Sequence, residues 1–199
     1  MSNIYLLFLI SGSPNLSTMT LRHDSYWFVP KWIGQIVHFE NPSSSWKIIQ
    51  KLQEREHRFI QDEYVSSGFY SESTAIFICE AIEDSKQAIM KVRIQILNGF
   101  DDKPLYPMCS QTPEKKICGR TDLEIKALEA LTSAGCSCTP KYIISKHENQ
   151  VSDSWVPDGF LDYIVMEKIE GISLSRKYLR RLSPKEQGEI RKAFKASYQ

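Results

Sequence analysis

Tyr163-Ile-Val-Met-Glu-Lys-Ile-Glu-Gly171, followed by Ile172, Ser173 and Leu174, reads as a buried strand running into a polar connector. Tyr163 to Met166 is a short apolar run of strand-favouring residues. Gly171 offers backbone angles that other residues reach only with strain. What this strand belongs to depends on the order of elements upstream of it.

Working back from it, Ser145 to Gly159 is a polar loop, and Lys141-Tyr-Ile-Ile144 after Cys138-Thr-Pro140 is a further strand. Thr121-Asp-Leu-Glu-Ile-Lys-Ala-Leu-Glu-Ala-Leu131, closing near Gly135, has helical periodicity. Glu124, Leu128 and Leu131 fall at i, i+4 and i+7, so the carboxylate shares a stripe with two core leucines. Two readings are open for Glu124: an inward carboxylate with a basic partner, or the second half of a capping box opened by Thr121. Residues 97–118, with three prolines, form a long connection.

Further upstream, Gln87-Ala-Ile-Met-Lys-Val-Arg-Ile-Gln-Ile96 alternates from Met90 onward, and Ala75-Ile-Phe-Ile-Cys-Glu-Ala81 is a second strand. Glu83-Asp-Ser85 supplies the turn between them. Lys91 is either a solvent-facing lysine, in line with Arg93 and Gln95, or a lone cation set among apolar neighbours for a purpose. The entry loop, Ser66 to Thr74, carries one glycine, Gly68, and hydroxyls at Ser71, Ser73 and Thr74. Trp46, Ile49, Leu52, His57 and Ile60 fall near a period of 3.6, which predicts a helix from Ser45 to Ile60 with His57 packed on it. Residues 1–45, with aromatic patches at Tyr26-Trp-Phe28 and Trp32-Ile33, form an N-terminal extension packed on the domain.

Taken together, the order is loop, strand, turn, strand with Lys91, helix with Glu124, strand, strand with Met166, connector. This resembles the small lobe of kinase-like phosphotransferases, in the aminoglycoside phosphotransferase and choline kinase-like branch of the protein kinase-like superfamily as found in fungi. The resemblance covers residues 60–175 or so, and Tyr163-Ile-Val-Met-Glu-Lys-Ile-Glu-Gly171 is similar to its hinge. It implies an α+β fold, an antiparallel sheet with a packed helix: N-terminal extension 1–45, small lobe 46–170, and 171–199 as the start of a truncated large lobe. It further implies ATP as ligand, with Met166 as gatekeeper and the Glu167 carbonyl and Ile169 amide on adenine. Gly171 and Ser173 would line the lip of the site. Lys91 would meet phosphate, Glu124 would hold Lys91, and Gly68 and Ser73 would lie in the loop over the phosphates.

The family also needs an aspartate to orient the acceptor hydroxyl and an Asn/Asp pair for magnesium, both after the hinge. Residues 172–199 contain neither aspartate nor asparagine. The expectation is a truncated or inactive phosphotransferase-family protein with modest ATP affinity and no magnesium site. The alternative is a non-enzymatic interaction module regulating a full-length relative. Either way, residues 172–198 are expected to self-associate or meet a protein partner, since Ile172, Leu174, Leu179, Leu182, Ile190 and Phe194 would be covered in a complete two-lobe fold.

Composition agrees with a globular domain: 199 residues, 42% hydrophobic, 25% charged. A formal net charge of +1 argues against a nucleic-acid binder that works by neutralising phosphates. The apolar run Ile4 to Ile10 is too short for a membrane span and lacks the flanks of a signal peptide. Five cysteines without a repeated spacing read as reduced thiols of a cytoplasmic protein. The competing reading is a zinc site from Cys109, Cys118, Cys136, Cys138 and His147.

Overall fold

Alternation builds the centre of the molecule. The computed structural model describes residues 27–28, 30–59, 70–97, 112–171 and 176–196. In strands β3 (Glu72–Ala81) and β4 (Gln87–Gln95), Ala75, Phe77 and Cys79 face Ala88, Met90 and Val92, and all six are fully buried. Burying a side chain the size of Phe77 or Met90 stabilises the fold by roughly 1.5–3 kcal/mol. The turn between the strands is closed by the Lys86 N–H donating to Asp84 Oδ1 at 3.0 Å and by a positive φ of 58° at Ser85.

Four more strands complete one antiparallel sheet: β1 (Ile36–Glu40), β2 (Ser43–His57), β5 (Tyr142–Asn149) and β6 (Phe160–Glu167). Their spatial order is β1-β2-β3-β4-β6-β5. The sheet curls until its two edges approach. Lys146 of β5 sits 5.4 Å above the Phe39 ring of β1 and 5.0 Å above Tyr163 of β6. The inner face of this near-barrel holds the main core, including Phe28, Val37, Phe39, Trp46, Ile48, Met90 and Val165.

Helix α1 (Gly119–Ser133) covers part of the outer face, setting Leu128 and Ile125 against Ile89, Tyr142, Ile164 and Met166. Its end is closed by Gly135, whose φ of 69° favours glycine. That turn lets the Gly135 N–H donate to Thr132 O and the Cys136 N–H donate to Leu131 O, each at 3.0 Å. Two further helices follow, α2 (Arg176–Leu179) and α3 (Pro184–Ala196). At the start of α3 the Ser183 N–H donates to Glu186 Oε2 at 2.7 Å and the Glu186 N–H to Ser183 Oγ at 3.3 Å, a reciprocal cap with Pro184 at the first position. Among its described residues α3 buries none.

The fold is therefore α+β with an antiparallel sheet and a packed helix, as the sequence suggests, but it departs from the sequence reading at several points. The helix expected over residues 45–60 is strand β2. Two register shifts, between Ile48 and Gln50 and between Lys51 and Gln53, break the two-residue alternation and imitate a helical period. Leu52 and His57, placed on a buried stripe by that reading, are exposed. The expected loop from Ser145 begins only after Asn149, where β5 ends. Thr121 does not cap α1, because the helix starts at Gly119, placing Thr121 inside the first turn with its side chain buried. Residues 36–40, within the expected N-terminal extension, are the edge strand β1. They carry Val37 and Phe39 into the core. Trp27 and Phe28 also pack on the sheet, with the Trp27 N–H donating to Glu54 Oε1 at 3.0 Å. Among the described residues no helix is long and apolar enough to cross a membrane.

Candidate functional site

The alternation that buries Met90 and Val92 inside turns Ile89, Lys91, Arg93 and Gln95 to the outer face beside α1. Lys91 lies in register with Ile76 of β3 and Ile164 of β6. Its Nζ donates to both carboxylate oxygens of Glu124, at 2.8 and 2.7 Å. The two side chains are 15% and 22% exposed, so the pair is largely withdrawn from water. Burial pulls the Lys91 ammonium below the ordinary lysine pKa, while the Glu124 charge pushes the other way.

Around this pair lies a second cation that sequence reading left on a solvent-facing strand. Arg93 is buried, and its Nη1 donates to Thr121 Oγ1 at 2.6 Å and its Nε to Thr74 Oγ1 at 3.3 Å. It lies 3.5 Å from both Glu72 Oε1 and Glu124 Oε2. Glu72 also accepts from Arg120 Nη1 at 3.0 Å and from the Cys118 thiol at 3.2 Å. Burial first, and the Glu72 charge next, push that thiol up to about 11. This network pins the first turn of α1 to β3 and β4. It thereby fixes where Glu124 stands.

A third polar group anchors the approach to α1. Asp162 of β6 is 1% exposed, accepts from the Cys118 N–H at 3.0 Å, and is bonded to His147 Nδ1 at 2.7 Å. Burial pushes its carboxyl above the ordinary range, and hydrogen bonds from His147, Thr121 and Cys118 oppose the shift.

The remaining sequence candidates are distributed unevenly. Met166 is buried against Leu128 on the same outer face as Lys91, and Ile76, Ile78 and Ile89 form a half-buried apolar strip beside it. The Glu167 N–H donates to Lys141 O at 2.8 Å, and Glu167 Oε2 accepts from the Lys141 N–H at 3.2 Å, so the end of β6 is held to the start of β5. Ile169 follows the strand and is half-buried. Ser73 is not brought to Lys91. It lies on the inner face with Ala75 and Phe77, and its hydroxyl donates to Arg55 O at 3.2 Å. Gly68 and Ser173 lie outside the described residues.

No family model matches the chain, and no curated protein or solved structure matches it. The chemistry of the site must be read from its residues. A lysine held by a carboxylate at the end of an apolar half-buried strip can receive an anionic group while the strip receives a flat apolar one. Of the residues considered for zinc, His147 is engaged with Asp162 and Cys118 with Glu72, and Cys109 lies outside the described residues. No group of three or more metal-ligating side chains occurs among the described residues.

Proposed function

We propose that residues 46–170 act as a kinase-like small lobe that binds a nucleotide on the outer face of the sheet. The observation that carries this reading is the Lys91–Glu124 pair, with contacts of 2.7 and 2.8 Å between a sheet strand and the helix packed on it. In protein kinases a strand lysine held by a helix glutamate is the arrangement that meets nucleotide phosphate. The placement of β4 directly beside β6 supports the reading, since it sets Lys91 one strand away from the hinge-like segment Met166 to Gly171. The base would lie on Ile76, Ile78 and Ile89 near the end of β6. Phosphate would meet Lys91.

Residues 163–199 contain neither aspartate nor asparagine, the residue types with which such enzymes orient the acceptor and hold magnesium. The activity proposed for residues 46–170 is nucleotide binding. The free energy is about −4 to −6 kcal/mol, with dissociation constants nearer mM than µM. Titration calorimetry with ATP and with adenosine tests it. Lys91→Ala should weaken ATP several-fold and leave adenosine nearly unchanged. Equal loss for both ligands, or no binding of either, refutes the assignment and leaves the pair as a fastener of α1, the role expected of an interaction module.

A further inference from the structure

His147 has acceptors at both ring nitrogens. Nδ1 meets the Asp162 carboxyl at 2.7 Å and Nε2 meets the Lys115 carbonyl oxygen at 2.8 Å. A neutral imidazole carries one N–H, and a carbonyl oxygen offers none. Both contacts are made together only when His147 and Asp162 hold two protons between them. With one proton, the buried Asp162 oxygen keeps the N–H of Nδ1, because an ionised carboxylate out of water needs its donors more than a carbonyl does. The Nε2 lone pair then faces Lys115 O at hydrogen-bond distance. That contact must open.

We propose that the His147–Asp162 pair is a proton-operated latch that fastens residues 115–121, the entry to α1, onto β5 and β6. Lys115 O lies three residues before the Cys118 N–H, which donates to Asp162 Oδ2 at 3.0 Å. Gly119, the first residue of α1, follows directly. When the second proton leaves, the segment keeps Asn149 Nδ2 on Lys115 O at 3.1 Å and loses the imidazole. The first turn of α1, carrying Arg120 and Thr121, is then held more loosely.

The charged and titratable groups around the pair have partners of their own, the Cys118 thiol among them, which donates to Glu72 Oε2 at 3.2 Å. On the entry segment, Lys115 Nζ is 3.4 Å from Asp158 Oδ2 of the loop before β6. Across β4, Arg93 is in register with Asp162 and is engaged by Thr121, Glu72 and Glu124. On β5 itself, Lys146 and Glu148 pair with each other, with Lys146 over the inner-face rings. The latch rests on hydrogen-bond geometry alone. It stands whether or not a nucleotide binds.

The test uses the 199-residue chain labelled with nitrogen-15 and carbon-13. The His147 ring nitrogens and the Asp162 carboxyl carbon are followed from about pH 5 to about pH 8, where imidazoles titrate, together with amide exchange of residues 116–121 corrected for intrinsic rate. The expected result is that protection of these amides falls about tenfold in step with loss of the second proton. In His147→Gln, which has no titrating ring, it should stay flat. The same fall in His147→Gln, or constant protection in the unmodified chain across this pH range, whether or not the proton leaves, overturns the proposal. The second outcome needs no variant, so the test holds even if His147→Gln does not fold.

Discussion

Replacing Glu124 by Gln keeps the shape of the side chain and removes the charge that faces Lys91 at 2.7 and 2.8 Å and Arg93 at 3.5 Å. Lys91 would remain as an ammonium that burial already disfavours, now without its counter-charge. Breaking a fully buried pair costs about 3–5 kcal/mol. Here the side chains are 15% and 22% exposed, so water compensates in part and about 2 kcal/mol is expected. For a chain of this size each kcal/mol moves the midpoint by about 2–4 °C, giving a fall of about 4–8 °C in a thermal melt. The decisive assay is a double-mutant cycle in urea with Lys91→Met, Glu124→Gln and both. Removing both partners leaves no uncompensated charge on β4 at that position, so the double variant should be more stable than the sum of the singles implies by about 1–2 kcal/mol. Additivity within about 0.5 kcal/mol would refute the claim that these two groups are energetically coupled.

Three further outcomes are expected. Cys79 and Cys118 are pushed up to about 12 and about 11 by burial, so each favours the folded state fully below pH 9 and loses that contribution as pH rises toward its folded value. Cys79→Ala and Cys118→Ala should therefore flatten the fall of the melting midpoint between about pH 9 and about pH 11, and an unchanged slope in both would contradict the shift. Cys136 is half-buried and hydrogen bonds from the Cys138 and Thr139 backbone lower its pKa, so mass spectrometry after brief alkylation at neutral pH should find it labelled before Cys79 and Cys118. Labelling of Cys79 first would mean that the β3–β4 core opens far more readily than its burial implies. Phe77→Ala, at the centre of that core, should cost about 3–5 kcal/mol in urea unfolding, and a loss under 1 kcal/mol would show that the inner face is loosely packed.

Much of the centre of the fold is legible in the sequence because it is written locally. Glu83-Asp-Ser85 marks the β3–β4 turn, and the alternation of Met90, Val92 and Ile94 shows which side of β4 is buried. The same alternation puts Lys91 on the face that α1 covers, and the helical stripe of Glu124 and Leu128 puts the carboxylate opposite it. Strand β2 is misread because its bulges reset the period every few residues, and nothing in the residue types reveals a bulge. Arg93 was open to discovery, since it shares the face of Lys91 two positions on. The signal is ambiguous, because an arginine on a strand edge and an arginine under a helix have the same spacing. Glu72, Asp162 and His147 are harder to find. Their partners lie on other elements, and only the order of strands in space brings Asp162 beside both β4 and β5.

The central claim, that the outer face beside α1 is a nucleotide site, is tested most directly by amide chemical-shift mapping on the labelled chain with millimolar ATP and then adenosine. Both ligands should move Ile76, Ile78, Ile89 and Met166 to Ile169, and ATP alone should move Lys91 and Glu124 in addition. Shifts confined to the inner-face strands or to α3, or none with either ligand, would contradict it.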